Sequence, residues 1–233
     1  MKNNNFIKTN ILFKGLVFLL LVGLFWIYSI SGEGVKVQAA NSTISSISQL
    51  QDKLNSVTGD ENIYLTNDFV TDFLANSQNV TFQYSGNYNI TIDGSNLTVP
   101  ISGALPSLIW DFNNSGTGNI TFNKLTFGNP DNSSTENIQI ALAGSGEFLF
   151  ENCNFYKLNS SRSIITGGLK LDIKNCLFSG NASACLFPGN DEEVNVYNST
   201  FIDNTNRAID CNGANVKLNL CNTLFKNNVS TEG

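Results

Sequence analysis

Four eight-residue segments toward the C-terminal end align without a gap: FLFENCNF (148–155), LDIKNCLF (171–178), VNVYNSTF (194–201) and LNLCNTLF (218–225). Their closing residues, Phe155, Phe178, Phe201 and Phe225, lie 23, 23 and 24 residues apart. Upstream, ITFNKLTF (120–127) joins the series with Phe127 placed 28 residues before Phe155, and ITIDGSNL (90–97) fits more loosely. At least six units are therefore visible. A period of this length belongs to repeat architectures, in which one unit cannot bury its own apolar face and neighbours must stack.

The first and third positions of each unit are apolar (Phe148 and Phe150, Leu171 and Ile173, Val194 and Val196, Leu218 and Leu220), and the second and fourth are mostly polar. That is the alternation of a strand. The fifth position is Asn152, Asn175, Asn198 and Asn222, with Gly94 in the looser unit, and these residue types accept positive φ at low cost. It predicts a sharp corner, with the asparagines forming a side-chain ladder along the stack. A small residue follows (Cys153, Cys176, Ser199, Thr223) and then Phe, both expected on the inward face. A second register places Asn181, Asn204 and Asn228 three residues beyond their Phe, read as a solvent-facing turn, so that Asn181→Ala should cost far less than Phe178→Ala. A third apolar stretch follows, as in Ile164-Ile165, Leu186-Phe187 or Ala208-Ile209.

Three strands and three turns fit into such a unit, and the expected fold is an all-β parallel β-helix. Leucine-rich repeats share the period but require Leu-x-x-Leu-x-Leu with a helix in each unit, which these units lack. Ser46-x-x-Gln49, followed by Ile47, Leu50 and Leu54 before Gly59, predicts a short N-terminal capping helix over 46–57. The chain stops at Ser230-Thr-Glu-Gly233 just after a strand pair. The expectation is a β-helix domain over 40–233 that is incomplete at its C-terminal end, or capped there by a partner.

Lys2, Lys8 and Lys14 precede an uncharged run over 15–32 with the core LVFLLLVGLFWIYSI, and Val37-Gln38-Ala39 offers a small-residue cleavage pattern. Residues 1–39 read as a secretory signal peptide; an uncleaved membrane anchor is the alternative. Either way the remainder is expected outside the cell, secreted or wall-associated, with no membrane contact after cleavage. The whole chain carries a formal charge of -6, and loss of 1–39 removes four Lys and one Glu. An acidic surface of this kind disfavours nucleic acid. The 36 asparagines suit a turn-rich protein. Histidine is absent, which excludes His-dependent triads and His-based metal sites. The five cysteines, Cys153, Cys176, Cys185, Cys211 and Cys221, show neither a CxxC nor a metal spacing. They read as small buried thiols, with a stacked disulfide as the alternative.

Together, ISSISQLQDKL, NIYLTNDF, NITIDGSNLTV and the recurring NCxF or NSTF units resemble the pectate-lyase-like adhesive domain of Gram-positive surface proteins, over essentially the whole exported chain. The resemblance implies a right-handed, single-stranded parallel β-helix acting in adhesion rather than catalysis, with an extracellular glycan or protein as partner. Such proteins commonly carry a C-terminal wall-sorting or wall-binding segment, and neither LPxTG nor a WxL pair occurs in this sequence.

Pectate-lyase-like folds also host polysaccharide lyases and glycoside hydrolases, and fold does not decide function. Lyases of this kind typically need calcium-binding carboxylates and an Arg or Lys base, and only Arg162 and Arg207 are available as arginines. Each follows an Asn-rich turn and reads as a surface residue. Asp191-Glu192-Glu193, with Asp203 and Asp210, is the densest acidic patch; its oxygens could ligate calcium, but it reads as a solvated loop. Asp172 and Glu151 lie on neighbouring outward positions, without the tuned pair that a glycosidase requires. Sequons at Asn41, Asn89, Asn119 and Asn198 are common by chance in so Asn-rich a chain. Trp110, at the end of LPSLIW, reads as an inward residue rather than a sugar platform. No catalytic, cofactor-binding or metal residue is therefore assigned, and the expectation is a non-catalytic binding module, against the alternative of a lyase or hydrolase of acidic polysaccharide.

Overall fold

The computed structural model describes residues 38–76, 80–102, 108–132, 135–159, 163–167 and 170–229. Residues 1–37 of the segment read as a signal peptide, Arg162 and the last four residues lie outside them. In chain order the first elements are β1 (Ala40–Ile44), α1 (Ile47–Ser56), β2 (Glu61–Leu65), α2 (Asn67–Asn76), β3 (Thr81–Tyr84) and β4 (Ile90–Asp93). Next come β5 (Leu108–Asn114), β6 (Ile120–Asn123), β7 (Thr126–Phe127) and β8 (Ile138–Gly144). The regular units supply β9 (Glu147–Glu151), β10 (Asn154–Tyr156), β11 (Ser163–Thr166), β12 (Lys170–Lys174), β13 (Leu177–Ser179) and β14 (Ala184–Phe187). The last four strands are β15 (Glu193–Tyr197), β16 (Thr200–Ile202), β17 (Lys217–Cys221) and β18 (Leu224–Lys226).

The strands form three parallel sheets, ordered β1-β2-β4-β6-β9-β12-β15-β17, β7-β10-β13-β16-β18 and β3-β5-β8-β11-β14. From β9 to β16 the chain visits the first, second and third sheet in turn and returns each time to the first beside its previous strand; between β16 and β17 the third sheet is met only by the isolated bridge of Ile209 to Leu186. The register reproduces the sequence alignment: Phe148 pairs with Leu171, Leu171 with Val194 and Val194 with Leu218. In the second sheet Phe127, Phe155, Phe178, Phe201 and Phe225 stand in one row. Their rings stack at centroid distances of 5.4, 4.4, 4.5 and 5.0 Å, nearly coplanar throughout. Inward side chains of all three sheets join one hydrophobic cluster. In the last described unit Leu220 and Phe225 remain 48% and 42% exposed, since no described strand lies beyond β17 and β18.

The first corner behaves as the sequence predicts. Asn152, Asn175, Asn198 and Asn222 have φ of 56°, 54°, 50° and 50°, and Lys124 takes the same place at 53°. Outward amides link successive units there: Asn123 to Asp93 at 2.7 Å, Asn152 to Asn123 at 3.0 Å and Asn222 to Asn198 at 2.8 Å. Gly94 is needed for space rather than for φ, because a Cβ there would lie 2.5 Å from the Lys124 carbonyl oxygen.

The second corner differs from the expectation. Its left-handed residues are Lys157, Gly180, Asp203 and Asn227, one place earlier than predicted. The residue that follows therefore turns inward, and Asn181 and Asn204 are fully buried rather than solvent-facing. Asn181 Oδ1 accepts Leu158 N at 2.9 Å, while its Nδ2 donates to Phe155 O at 3.1 Å and to Asn204 Oδ1 at 2.9 Å. Asn204 repeats the pattern, donating to Phe178 O at 3.1 Å and Asn228 Oδ1 at 2.7 Å. Each amide oxygen thus satisfies a backbone N–H that the turn would otherwise leave orphaned in the core, Leu158 N for Asn181 and Asn181 N for Asn204.

Two helices, not one, precede the regular units. The predicted helix is α1, its N-terminus capped by Ser46 Oγ accepting Gln49 N at 3.3 Å, with Leu50 and Leu54 buried. α2 was not expected, because Asn, Thr, Asp and β-branched residues make TNDFVTDFLAN a poor helix former. Burial of Phe69, Val70 and Phe73 overrides that propensity. The two helices are linked by Ile47 N donating to Asp72 Oδ2 at 2.8 Å. Neither helix is long and apolar enough to cross a membrane.

Candidate functional site

The floor of a surface groove of about 370 Å³ is built where β7 and β10 lie side by side. Phe127 and Phe155 point into the core, so strand alternation turns Thr126, Asn154 and Tyr156 outward. Lys124, at the left-handed corner before β7, completes the floor. One wall is the 94–100 segment with Leu97, Thr98, Val99 and Pro100; the other is Asn129, Pro130 and Asp131.

Both walls are pinned. Asn67 of α2 holds Thr98 from two sides, donating to Oγ1 at 2.7 Å and accepting Thr98 N at 3.0 Å. Ile101 N donates to Thr126 O at 2.8 Å, and Gly128 N to Ile101 O at 2.9 Å. Lys157 Nζ reaches across to the opposite wall, donating to Pro130 O at 2.6 Å and to Asn132 O. Asp131 N is taken by Asn129 Oδ1 at 2.9 Å. Such a groove offers hydroxyl, amide and phenol groups, one cation, one carboxylate and an apolar rim. It can hydrogen-bond a hydroxylated ligand and pack a ring or aliphatic face against Tyr156 and the prolines.

The acidic residues weighed from the sequence do not converge. Asp191 Oδ1 accepts Asn215 Nδ2 at 2.8 Å, Asp203 Oδ1 accepts Asn227 Nδ2 at 2.9 Å, and Glu193 pairs with Lys217 at 2.8 Å. Asp210 pairs with Arg207 at 2.6 Å. Among the described residues no group of three Cys, Asp or Glu is placed to hold a metal ion. Asp172 accepts Asn195 Nδ2 at 2.8 Å and meets Lys174 at 3.4 Å, while Glu151 stands opposite Lys174 in the sheet. The Lys217 hydrogen bond, with that of Asn195, brings the Glu193 carboxyl below its ordinary value. Burial alone would raise Asp93, but hydrogen bonds from Ser95 and Asn123 outweigh it and lower that carboxyl.

Glu192 departs from the expected solvated loop. It is 1% exposed, its Oε2 accepts Gly189 N at 2.5 Å, and its Oε1 has no hydrogen-bond partner among the described residues. Burial pushes this carboxyl up to about 7, against the opposing pull of the Gly189 N–H.

Trp110 is fully buried, as expected, with its ring within 5.2 to 6.1 Å of Phe69, Phe73, Phe82, Phe112, Phe122 and Phe127. Cys153, Cys176 and Cys185 are buried free thiols, and burial raises the Cys153 and Cys185 thiols well above the ordinary range. Cys211 and Cys221 are free but exposed, contrary to the reading of buried thiols. Cys221 occupies the outward place held by Lys174 and Tyr197 in earlier units. Asn41, Asn89, Asn119 and Asn198 are all exposed.

Sequence reasoning did not identify the groove, although two irregularities marked it. The spacing of 28 rather than 23 residues before Phe155 accommodates the 129–132 wall, and the loose fit of 90–97 reflects the 94–100 wall. Leu97 does not join the phenylalanine row; Ile101 bridges to Phe127 instead. No protein-family model, curated protein or solved structure matches the chain.

Proposed function

We propose that this chain is a secreted or cell-surface module, a right-handed parallel β-helix whose coils are the successive sequence units, that binds an extracellular glycan or protein without turning it over. The cycling of strands through three parallel sheets supports the β-helix, with α1 and α2 as its N-terminal cap. The signal-like segment over 1–39 and the resemblance to pectate-lyase-like adhesive domains support export and adhesion.

The observation that carries the binding reading is the groove beside β7 and β10, whose two walls are fastened to the body before any ligand arrives. Preorganisation of this kind lowers the ordering cost of binding. Asp131 is the single carboxylate of the lining, whereas acid–base cleavage of a glycosidic bond uses two.

The test is a glycan and matrix-protein array probed with the processed chain, its Tyr156→Ala variant and its Asn154→Ala variant. Retention of one ligand class by the parent and its loss in both variants is the expected result. Polygalacturonate incubated with the chain and calcium should show no rise in absorbance; a calcium-dependent rise would replace binding by lyase activity.

A further inference from the structure

The turn over 188–192 and the turn over 212–216 lie stacked on one another. Asp191 N donates to Ala214 O at 2.8 Å, and Ala214 N to Asn190 Oδ1 at 2.8 Å. Asn215 Nδ2 donates to Asp191 Oδ1 at 2.8 Å, and Lys217 N to Glu192 O at 2.9 Å. The approach is close enough that a Cβ on Gly213 would stand 2.5 Å from the Gly189 carbonyl oxygen. Glu192 lies within this stack, with one oxygen on Gly189 N and the other without a hydrogen-bond partner among the described residues.

A buried carboxyl with an empty oxygen is tolerable while neutral and costly once ionised, because the charge is withdrawn from water without a compensating partner. The cations of the adjoining elements are engaged elsewhere: Lys217 with Glu193, Arg207 with Asp210, Lys170 with Glu147 and Lys174 with Asp172. On its own turn Glu192 is flanked by Asp191 and Glu193, both acidic. From the facing segment come Asp210 and Cys211, and the Cys211 thiol is itself raised by burial and by the charges of Asp210 and Glu192. Every titratable group directed at Glu192 from these elements is therefore neutral, acidic or already paired.

We propose that Glu192 is a proton-operated latch between the two turns: protonated, it lies closed within the stack, and ionised, it swings toward water and lets the turns part. The bonds at stake are the four that join the turns. Asp191 is already exposed, so the path from the buried position to solvent is one residue long. Acid closes the latch and neutral-to-alkaline solution opens it.

Hydrogen exchange of the intact processed chain at pH 5 and pH 8, corrected for the intrinsic pH dependence of exchange, reads this directly. The reporting amides are Gly189, Asp191, Ala214 and Lys217, the backbone donors at the stack. Their protection should be roughly tenfold or more lower at pH 8, while Glu192→Gln, neutral at every pH, should hold one value. Equal protection of the parent at the two pH values, or an unchanged pH dependence in Glu192→Gln, would overturn the latch. Carbon-detected titration of the Glu192 carboxyl in the unmodified chain gives a reading independent of any variant. A midpoint well above that of ordinary glutamates is expected, and an ordinary midpoint sinks the proposal.

Discussion

Phe178 is fully buried between Phe155 and Phe201 at 4.4 and 4.5 Å, and its truncation leaves a hole that the stacked rings cannot fill. Phe178→Ala should cost about 3 to 5 kcal/mol in urea unfolding. Asn181→Ala removes no large apolar volume, yet it strands Leu158 N in the core, takes a second donor from Phe155 O and breaks the link to Asn204. With about 1 to 3 kcal/mol for a buried group left unpaired, the loss should reach the lower end of the Phe178→Ala range. A loss below about 1 kcal/mol would mean that water replaces the amide. The sequence does not distinguish the two asparagine columns, because both recur with the same period and both lie at corners. What separates them is which residue takes positive φ, and at the second corner that place is filled by Lys157, Gly180, Asp203 and Asn227, of which Gly, Asp and Asn accept positive φ but do not recur as one repeated residue beside the conspicuous Asn that follows.

At the scale of elements, the regular strands were legible because alternation and left-handed corners are local properties. α2 was not, because its stability comes from Phe69 and Phe73 meeting Trp110, contacts made with residues some forty positions away. That helix in turn holds the 94–100 wall through Asn67. Asn67→Ala should lower the thermal midpoint by only a few degrees, since both bonds lost are exposed and lie at the low end of the about 0.5 to 1.5 kcal/mol that such a bond contributes. Ligand retention on the array should fall, because the wall must then be ordered at the moment of binding. A ligand held equally well by Asn67→Ala would place its contacts on the floor residues Asn154 and Tyr156 alone. Both walls occupy departures from the repeat. A period therefore declares the scaffold, and its interruptions declare where the scaffold has been altered; the chemistry inside the groove follows only when the two interruptions are seen to face one another.

For the whole molecule, the two buried carboxyls that are shifted, Asp93 and Glu192, act on opposite limbs of the stability profile. Asp93, lowered from 3.8, stabilises the folded chain above that ordinary value, and the contribution is lost as pH falls through its folded value. Glu192 has the reverse sign. Its folded value of about 7 stands above the ordinary 4.5, so its contribution is complete below 4.5 and is lost as pH rises through 7. Over that window unfolding releases a proton, and the full loss amounts to at most about 3 kcal/mol. The thermal midpoint of the parent should therefore decline between pH 4.5 and pH 8, and that of Glu192→Gln should decline much less. Parallel profiles for the two proteins would assign the decline to other groups. The latch sets a ceiling on the effect, since once opening the two turns costs less than keeping the charge buried, further ionisation is absorbed by local opening instead of global unfolding. A measured decline smaller than the full linkage value, together with loss of protection at Asp191 and Ala214, would itself equal the free energy of opening the two turns.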